Sequence, residues 1–245
     1  RICDDYMKSE VRATSISAML TTILCKYPEE LAEICSRSLG LLSVDTVACG
    51  VRSGEKSSVA VTPQFSLQLE YGEYSNDWTA CRVWPGGELM SRHLLEGKFE
   101  VKDCDVLELG SGLGISGISA LHAGASRVAF TEYKQELLDV ALRNAARNTS
   151  HQVWSGFLLD WSDFDPETHS GFQKWKLKEF VIIASEVIYE ETHPSLIIDV
   201  MNKLFQNGAI KAYIVVMKEP FRSGLVTFLD MLQNQAIFNA IVYPH

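Results

Sequence analysis

The sequence contains no apolar run near the roughly 18 residues that a helix needs to cross a bilayer, so no membrane span is expected. The stretch Arg1–Glu10 mixes charges with Cys3 and Tyr6 and lacks the apolar centre of a secretion signal. The arginine at position 1 leaves room for a segment upstream. Cysteine pairing is also missing. Cys3, Cys25, Cys35, Cys49, Cys81 and Cys104 are scattered, and none forms a Cys-x-x-Cys pair. That argues against a disulfide framework or a structural zinc site. Reduced thiols are expected, in the cytoplasm or the nucleus. His93, His122, His151, His169, His193 and His245 lack metal-ligand spacing, so no metal is expected. Positive charge is scarce: 22 Lys and Arg stand against 31 Asp and Glu, a net charge of −9. This balance disfavours salt-driven binding to a nucleic acid backbone and suits a basic partner, such as a lysine-bearing protein.

No repeat or low-complexity tract interrupts the chain, and 245 residues with 47% hydrophobic content suffice for one sizeable core. Residues 1–40 read as helical. Ile16, Met19, Leu20, Ile23 and Leu24 recur at helical spacing. Pro28-Glu29-Glu30 opens a second helix that Gly40 ends, with Leu31, Ile34, Cys35 and Leu39 on its apolar face. From Val44 to Gly72 the period changes to two: Val59, Val61, Phe65, Leu67 and Leu69 fall on odd positions. Gly50, Ser53 and Gly54 would supply the turn of a hairpin.

A different regime follows. Cys104–Leu109, Arg127–Thr131, Val153–Leu159, Phe180–Ser185 and Tyr213–Met217 read as strands, several of them apolar throughout. Helical patterns at Ile115–Ala123, Leu137–Arg147, Pro194–Phe205 and Gly224–Leu232 separate most of them. Such alternation predicts an α/β, Rossmann-like, doubly wound sheet over residues 81–245, with a helical and β-hairpin extension over 1–80. Ile237–Tyr243 is a further strand-like run. Lys174, Lys176 and Lys178 alternate before a strand and read as a charge-guarded edge. His193-Pro194 reads as a helix start, and Asp160, Asp163 and Asp165 as a solvated loop.

The most informative run is Val106-Leu107-Glu108-Leu109-Gly110-Ser111-Gly112-Leu113-Gly114. A strand ends, three glycines follow at spacing two, and a helix begins. Glycines let the backbone turn sharply and approach a ligand, and the helix N-terminus presents N–H groups to it. Glu132 closes the next strand, where a carboxylate can accept hydrogen bonds from both hydroxyls of a ribose. Two readings of these residues are open. Gly112-x-Gly114-x-x-Gly117 with Glu132 about 20 residues on satisfies the dinucleotide fingerprint of a nicotinamide enzyme. That reading leaves Glu108 and Gly110 unexplained.

The whole run resembles the Glu-x-Gly-x-Gly-x-Gly motif of the class I, seven-strand S-adenosylmethionine methyltransferases. Three further stretches narrow the resemblance: Arg82-Val83-Trp84-Pro85-Gly86-Gly87, Leu158-Leu159-Asp160-Trp161, and Ser185-Glu186-Val187-Ile188-Tyr189. Together they look like the methyltransferase 16 family, whose members are mostly protein-lysine methyltransferases. The resemblance implies S-adenosyl-L-methionine as cofactor. It places Glu108, Gly110, Ser111, Gly112, Gly114, Glu132 and Ser185 around that cofactor, with Trp84 over its methionine end, Trp161 against the adenine and Asp160 near the exocyclic amine. It makes Glu186 and Tyr189 the residues of the acceptor site, although the family motif more often begins with Asp. The substrate it implies is a lysine on a protein. A small-molecule or protein-histidine acceptor, and a non-catalytic scaffold, remain the alternatives.

Overall fold

The computed structural model describes residues 56–72, 82–150, 153–176, 178–216 and 224–233. The helices expected in residues 1–40, the strand expected at Ile237–Tyr243 and Met217 lie outside the described residues.

The first described element is a hairpin. Strand β1 (Lys56–Thr62) pairs antiparallel with β2 (Phe65–Glu70), with Thr62 opposite Phe65. Its tip is therefore Pro63-Gln64, inside the run whose alternation reads as one strand; Gly50, Ser53 and Gly54, expected to supply a turn, lie outside the described residues. Val61 and Phe65 are an even number of positions apart, so the period-two pattern runs through the tip without a change of phase. Pro63 was the local signal of the break, because proline has no N–H for a ladder.

Helix α1 (Pro85–Leu95) leads to β3 (Asp105–Leu109), followed by α2 (Ile115–His122), β4 (Arg127–Glu132), α3 (Gln135–Asn148) and β5 (Trp154–Leu158). The short α4 (Ser170–Trp175), then β6 (Phe180–Ser185), α5 (His193–Gln206), β7 (Ala209–Val215) and α6 (Leu225–Gln233) complete the described chain. The five later strands form one sheet in the order β5-β4-β3-β6-β7, and every pairing in it is parallel. The α/β, doubly wound fold read from the sequence is the fold observed. Among the described residues no helix is long and apolar enough to cross a membrane.

The alternation along β3 explains how the sheet is covered. Val106 joins Val128, Phe130, Val181 and Ile183 in a core roofed by α1, α2, α3 and the hairpin, through Met90, Ile118, Ala141 and Leu67. Leu107 and Leu109 face the opposite way, with Ala129, Ile182 and Ala184, toward Phe172, Ile197 and Phe228 of α4, α5 and α6. Successive side chains on a strand point to opposite faces, so a strand covered on both sides must be apolar nearly throughout. Lys174, Lys176 and Lys178 guard no edge: they precede β6, which lies between β3 and β7. Lys176 Nζ donates to Asn207 Oδ1 at 3.3 Å, and Lys178 Nζ lies 3.8 Å from Asp105 Oδ1. The apparent alternation of these lysines runs through the end of a helix and the loop behind it.

Candidate active site

The chain leaves β3 outward to β4 and β5, then returns to place β6 on the other side of β3. Open α/β sheets hold their ligands at the carboxyl ends of the strands beside such a reversal. Here that point lies between Leu109, where β3 enters the glycine turn, and Ser185, where β6 ends. Residues named from three separate stretches of sequence meet there.

Gly110, Gly112 and Gly114 have φ of 62°, 52° and 78°, the left-handed region that favours glycine. The turn is held from inside. Ser111 N–H donates to Thr131 O at 2.9 Å, Thr131 N–H donates to Ser111 Oγ at 3.0 Å, and Gly114 N–H donates to Ser111 O at 2.7 Å. Gly112 N–H donates to Glu132 Oε1 at 2.7 Å, so the acid at the end of β4 sits against the turn. Open space lies before Gly112, where a Cβ would meet nothing within 4 Å. The turn thus brings backbone close to a ligand and places one carboxylate beside it. Its amides, expected from the sequence to grip the ligand, largely serve the turn itself.

Glu108 lies behind this turn. Its side chain follows the β3 alternation toward α2, where Oε1 accepts from Gly117 N–H at 3.1 Å. Burial pushes its carboxyl up to about 8, against the Ser111 hydroxyl and Gly117 amide that favour the anion, and the Glu132 charge adds to the rise. A carboxyl with a raised folded pKa stabilises the fold fully below its unfolded value of 4.5, and that contribution is lost as pH rises toward about 8. Glu108→Gln is therefore expected to flatten the fall in melting temperature between about pH 5 and pH 8, and to melt above the parent chain at pH 8.5. A parallel decline in both proteins would contradict this. Gly117 is fixed by the same contact: a Cβ there would lie 2.4 Å from Phe130 Cε1 and 2.6 Å from Glu108 Oε2. Gly117→Ala should lower the unfolding free energy by about 1–3 kcal/mol in a denaturant titration.

Across the switch point, Glu186 follows β6 with φ of 60°, unusual for a residue with a side chain. Hydrogen bonds of both its backbone and its side chain hold it there. Its N–H donates to Val215 O at 2.8 Å, and its Oε1 accepts from Gly86 N–H at 2.8 Å. Gly86 lies in the first turn of α1, whose free N–H groups favour a carboxylate. A Cβ on Gly86 would lie 2.6 Å from Glu186 Cδ and Oε1, so a side chain there would displace the carboxylate. Glu186 thereby sets the start of α1 and with it Trp84, the residue before the helix, whose ring lies 3.9 Å from the Arg82 guanidinium. Ser185 Oγ lies 3.2 Å from Ser116 Oγ at the head of α2.

A Cβ on Gly110 would lie 3.4 Å from Trp161 Cζ2, so the indole borders the glycine turn. His193 meets both Trp161 and Tyr189 edge to face, with centroid distances of 5.5 and 4.3 Å. Beyond opening α5, this histidine joins Trp161, from the loop after β5, to Tyr189, from the loop after β6, which the sequence did not reveal. Burial lowers its pKa below the usual histidine value, although Glu190 opposes the shift. Asp160 is exposed and its Oδ1 accepts from Ser162 N–H at 2.9 Å and Ser162 Oγ at 2.7 Å. It also lines an open depression of about 460 Å³ with Tyr133, Leu158 and His169, beyond the ends of β4 and β5.

A parallel sheet reversed at β3, a glycine turn closed by an acid on the next strand, and a second acid after β6 define a Rossmann-like class I methyltransferase architecture. The fold agrees with the solved structure of SMU.776, described as a candidate methyltransferase complexed with SAH, at a TM-score of 0.50 and 10% identity over 83% of this chain and 55% of that one. The chain belongs to the lysine methyltransferase family, whose profile matches residues 64–235 and so spans the whole site. Curated relatives include the electron transfer flavoprotein beta subunit lysine methyltransferases. The Mus musculus protein is 36% identical over 29% of this chain and 32% of its own length, so that match spans about a third of the relative. The Xenopus laevis protein is 25% identical over 82% of this chain and 77% of its own length.

Proposed function

We propose that the chain transfers a methyl group from S-adenosylmethionine to a lysine side chain of a protein substrate. The observation that carries this reading is the pair of buried acids on the two sides of one switch point: Glu132 against Gly112, and Glu186 after β6. The cradle fits the cofactor. Open space before Gly112 admits a ligand to the backbone, and the Glu132 carboxylate has the acceptor oxygens that a ribose diol needs. Trp161 beside Gly110 offers an apolar face for the adenine. Family membership and the names of the relatives support lysine as acceptor.

The bound cofactor would supply an electrophilic methyl carbon: its bond to sulfur breaks as a bond to the lysine Nζ forms, and the electron pair leaves with sulfur. The protein must hold the Nζ lone pair in line with that carbon, which removes much of the entropic barrier. Lysine arrives as an ammonium and has to lose a proton to water first. Glu186 attracts and orients the cation, Tyr189 walls the channel, and burial of the amine favours its neutral form. Net negative charge suits a basic substrate segment. Incubation with cell lysate and methyl-labelled cofactor, followed by mass spectrometry, should find the label on protein lysine. Label confined to histidine or to small molecules would overturn the acceptor assignment.

A further inference from the structure

Asn144 is fully buried on α3 and its side chain reaches two other segments. Its Oδ1 accepts from Glu70 N–H at 2.7 Å, and its Nδ2 donates to Glu70 O at 2.9 Å and to Leu113 O at 3.0 Å. Leu113 lies between Gly112 and Gly114 in the glycine turn. One helical turn on, Asn148 repeats half of the pattern: its Oδ1 accepts from Gln68 N–H and its Nδ2 donates to Gln68 O, both at 2.8 Å. The spacing fits. Four residues of helix rise about 6 Å and two residues of strand about 6.7 Å, so two asparagines on one helix face can bind the outer edge of β2 as a neighbouring strand would. Arg143 and Arg147 add ion pairs to Glu70. From below, Gly114 rests against α3, where a Cβ would lie 3.3 Å from the Ala141 backbone.

We infer that Asn144 is a positioning residue for the cofactor-binding turn and that the β1–β2 hairpin is the brace through which it acts; the inference rests on the methyltransferase reading. The carbonyl of Leu113 has its place because Asn144 is held, and Asn144 is held because both ends of its side-chain amide, Oδ1 and Nδ2, are bound to Glu70. Docking of the hairpin and binding of the cofactor are then linked, and each strengthens the other. A buried amide with all its partners is rigid, whereas loss of one partner leaves a buried carbonyl unsatisfied.

The test compares the full chain with Asn144→Ala and Asn144→Asp. Aspartate keeps the acceptor for Glu70 N–H and loses both donors, so the two variants should behave alike. Both should raise the dissociation constant for S-adenosylhomocysteine and KM for S-adenosylmethionine about tenfold, with kcat and the acceptor KM within twofold. A role confined to stability would lower the melting temperature and leave these constants in place, which overturns the inference. Should the variants not fold, hydrogen exchange on the parent chain decides. Saturating S-adenosylhomocysteine should slow exchange at the Gln68 and Glu70 amides at least tenfold, and unchanged rates overturn the inference. A parent chain that does not bind S-adenosylhomocysteine at all removes the methyltransferase reading and this inference with it. Parent binding with unaltered variants removes this inference alone.

Discussion

Replacing Glu132 with alanine should weaken binding of S-adenosylmethionine by at least about a hundredfold. Two consequences combine. A carboxylate that accepts both ribose hydroxyls makes two charge-assisted bonds, each worth about 1.5–3 kcal/mol, and a tenfold change in affinity corresponds to about 1.4 kcal/mol. The same substitution removes the acceptor for Gly112 N–H, the contact that ties the turn to β4. Glu132→Gln separates the two, because its amide oxygen can still accept from Gly112 while the charge is lost; about a tenfold loss is expected. Calorimetric titration with S-adenosylhomocysteine measures both. An alanine variant that binds within threefold of the parent would show that the ribose lies elsewhere.

Glu186→Gln should lower kcat/KM for the acceptor about thirtyfold and leave cofactor affinity within twofold. The bond to Gly86 N–H needs only an acceptor oxygen, which glutamine retains, so α1 and Trp84 keep their places. What disappears is the negative charge that in the proposed mechanism attracts and orients the lysine ammonium, worth about 2 kcal/mol for a charge-assisted contact. Glu186→Ala goes further. It removes the acceptor at the start of α1, so cofactor affinity should fall as well through displacement of Trp84. Steady-state kinetics with acceptor and cofactor varied separately distinguish the variants. Full activity in the glutamine variant would remove Glu186 from the acceptor site.

Legibility in the sequence followed the range of the interaction. The β3–turn–α2 unit was readable because an apolar strand, three glycines and a helix follow one another within one short stretch. Glu132 was readable because its position closes the next strand. Helix α1 was not foreseen: it begins Pro85-Gly86-Gly87, and glycine is a poor helix former. The reason for that glycine is Glu186, distant in sequence, whose carboxylate occupies the space a Cβ would need. Asn144 drew no reading within the Leu137–Arg147 helical pattern, because its partners Glu70 and Leu113 are distant in sequence. His193 was legible as a helix start and silent about its aromatic neighbours, which arrive from the loops after β5 and β6. The hairpin tip at Pro63-Gln64 went unread because an even-numbered turn preserves the phase of the alternation.

The account depends most on which nucleoside enters the crevice beside Gly112. Calorimetric titration of the full chain with S-adenosylhomocysteine and, separately, with NADH tests this directly. One-to-one binding of S-adenosylhomocysteine with no heat from NADH is the predicted result. Saturable binding of NADH without binding of S-adenosylhomocysteine would contradict it, and would return Gly112, Gly114 and Gly117 to the dinucleotide reading.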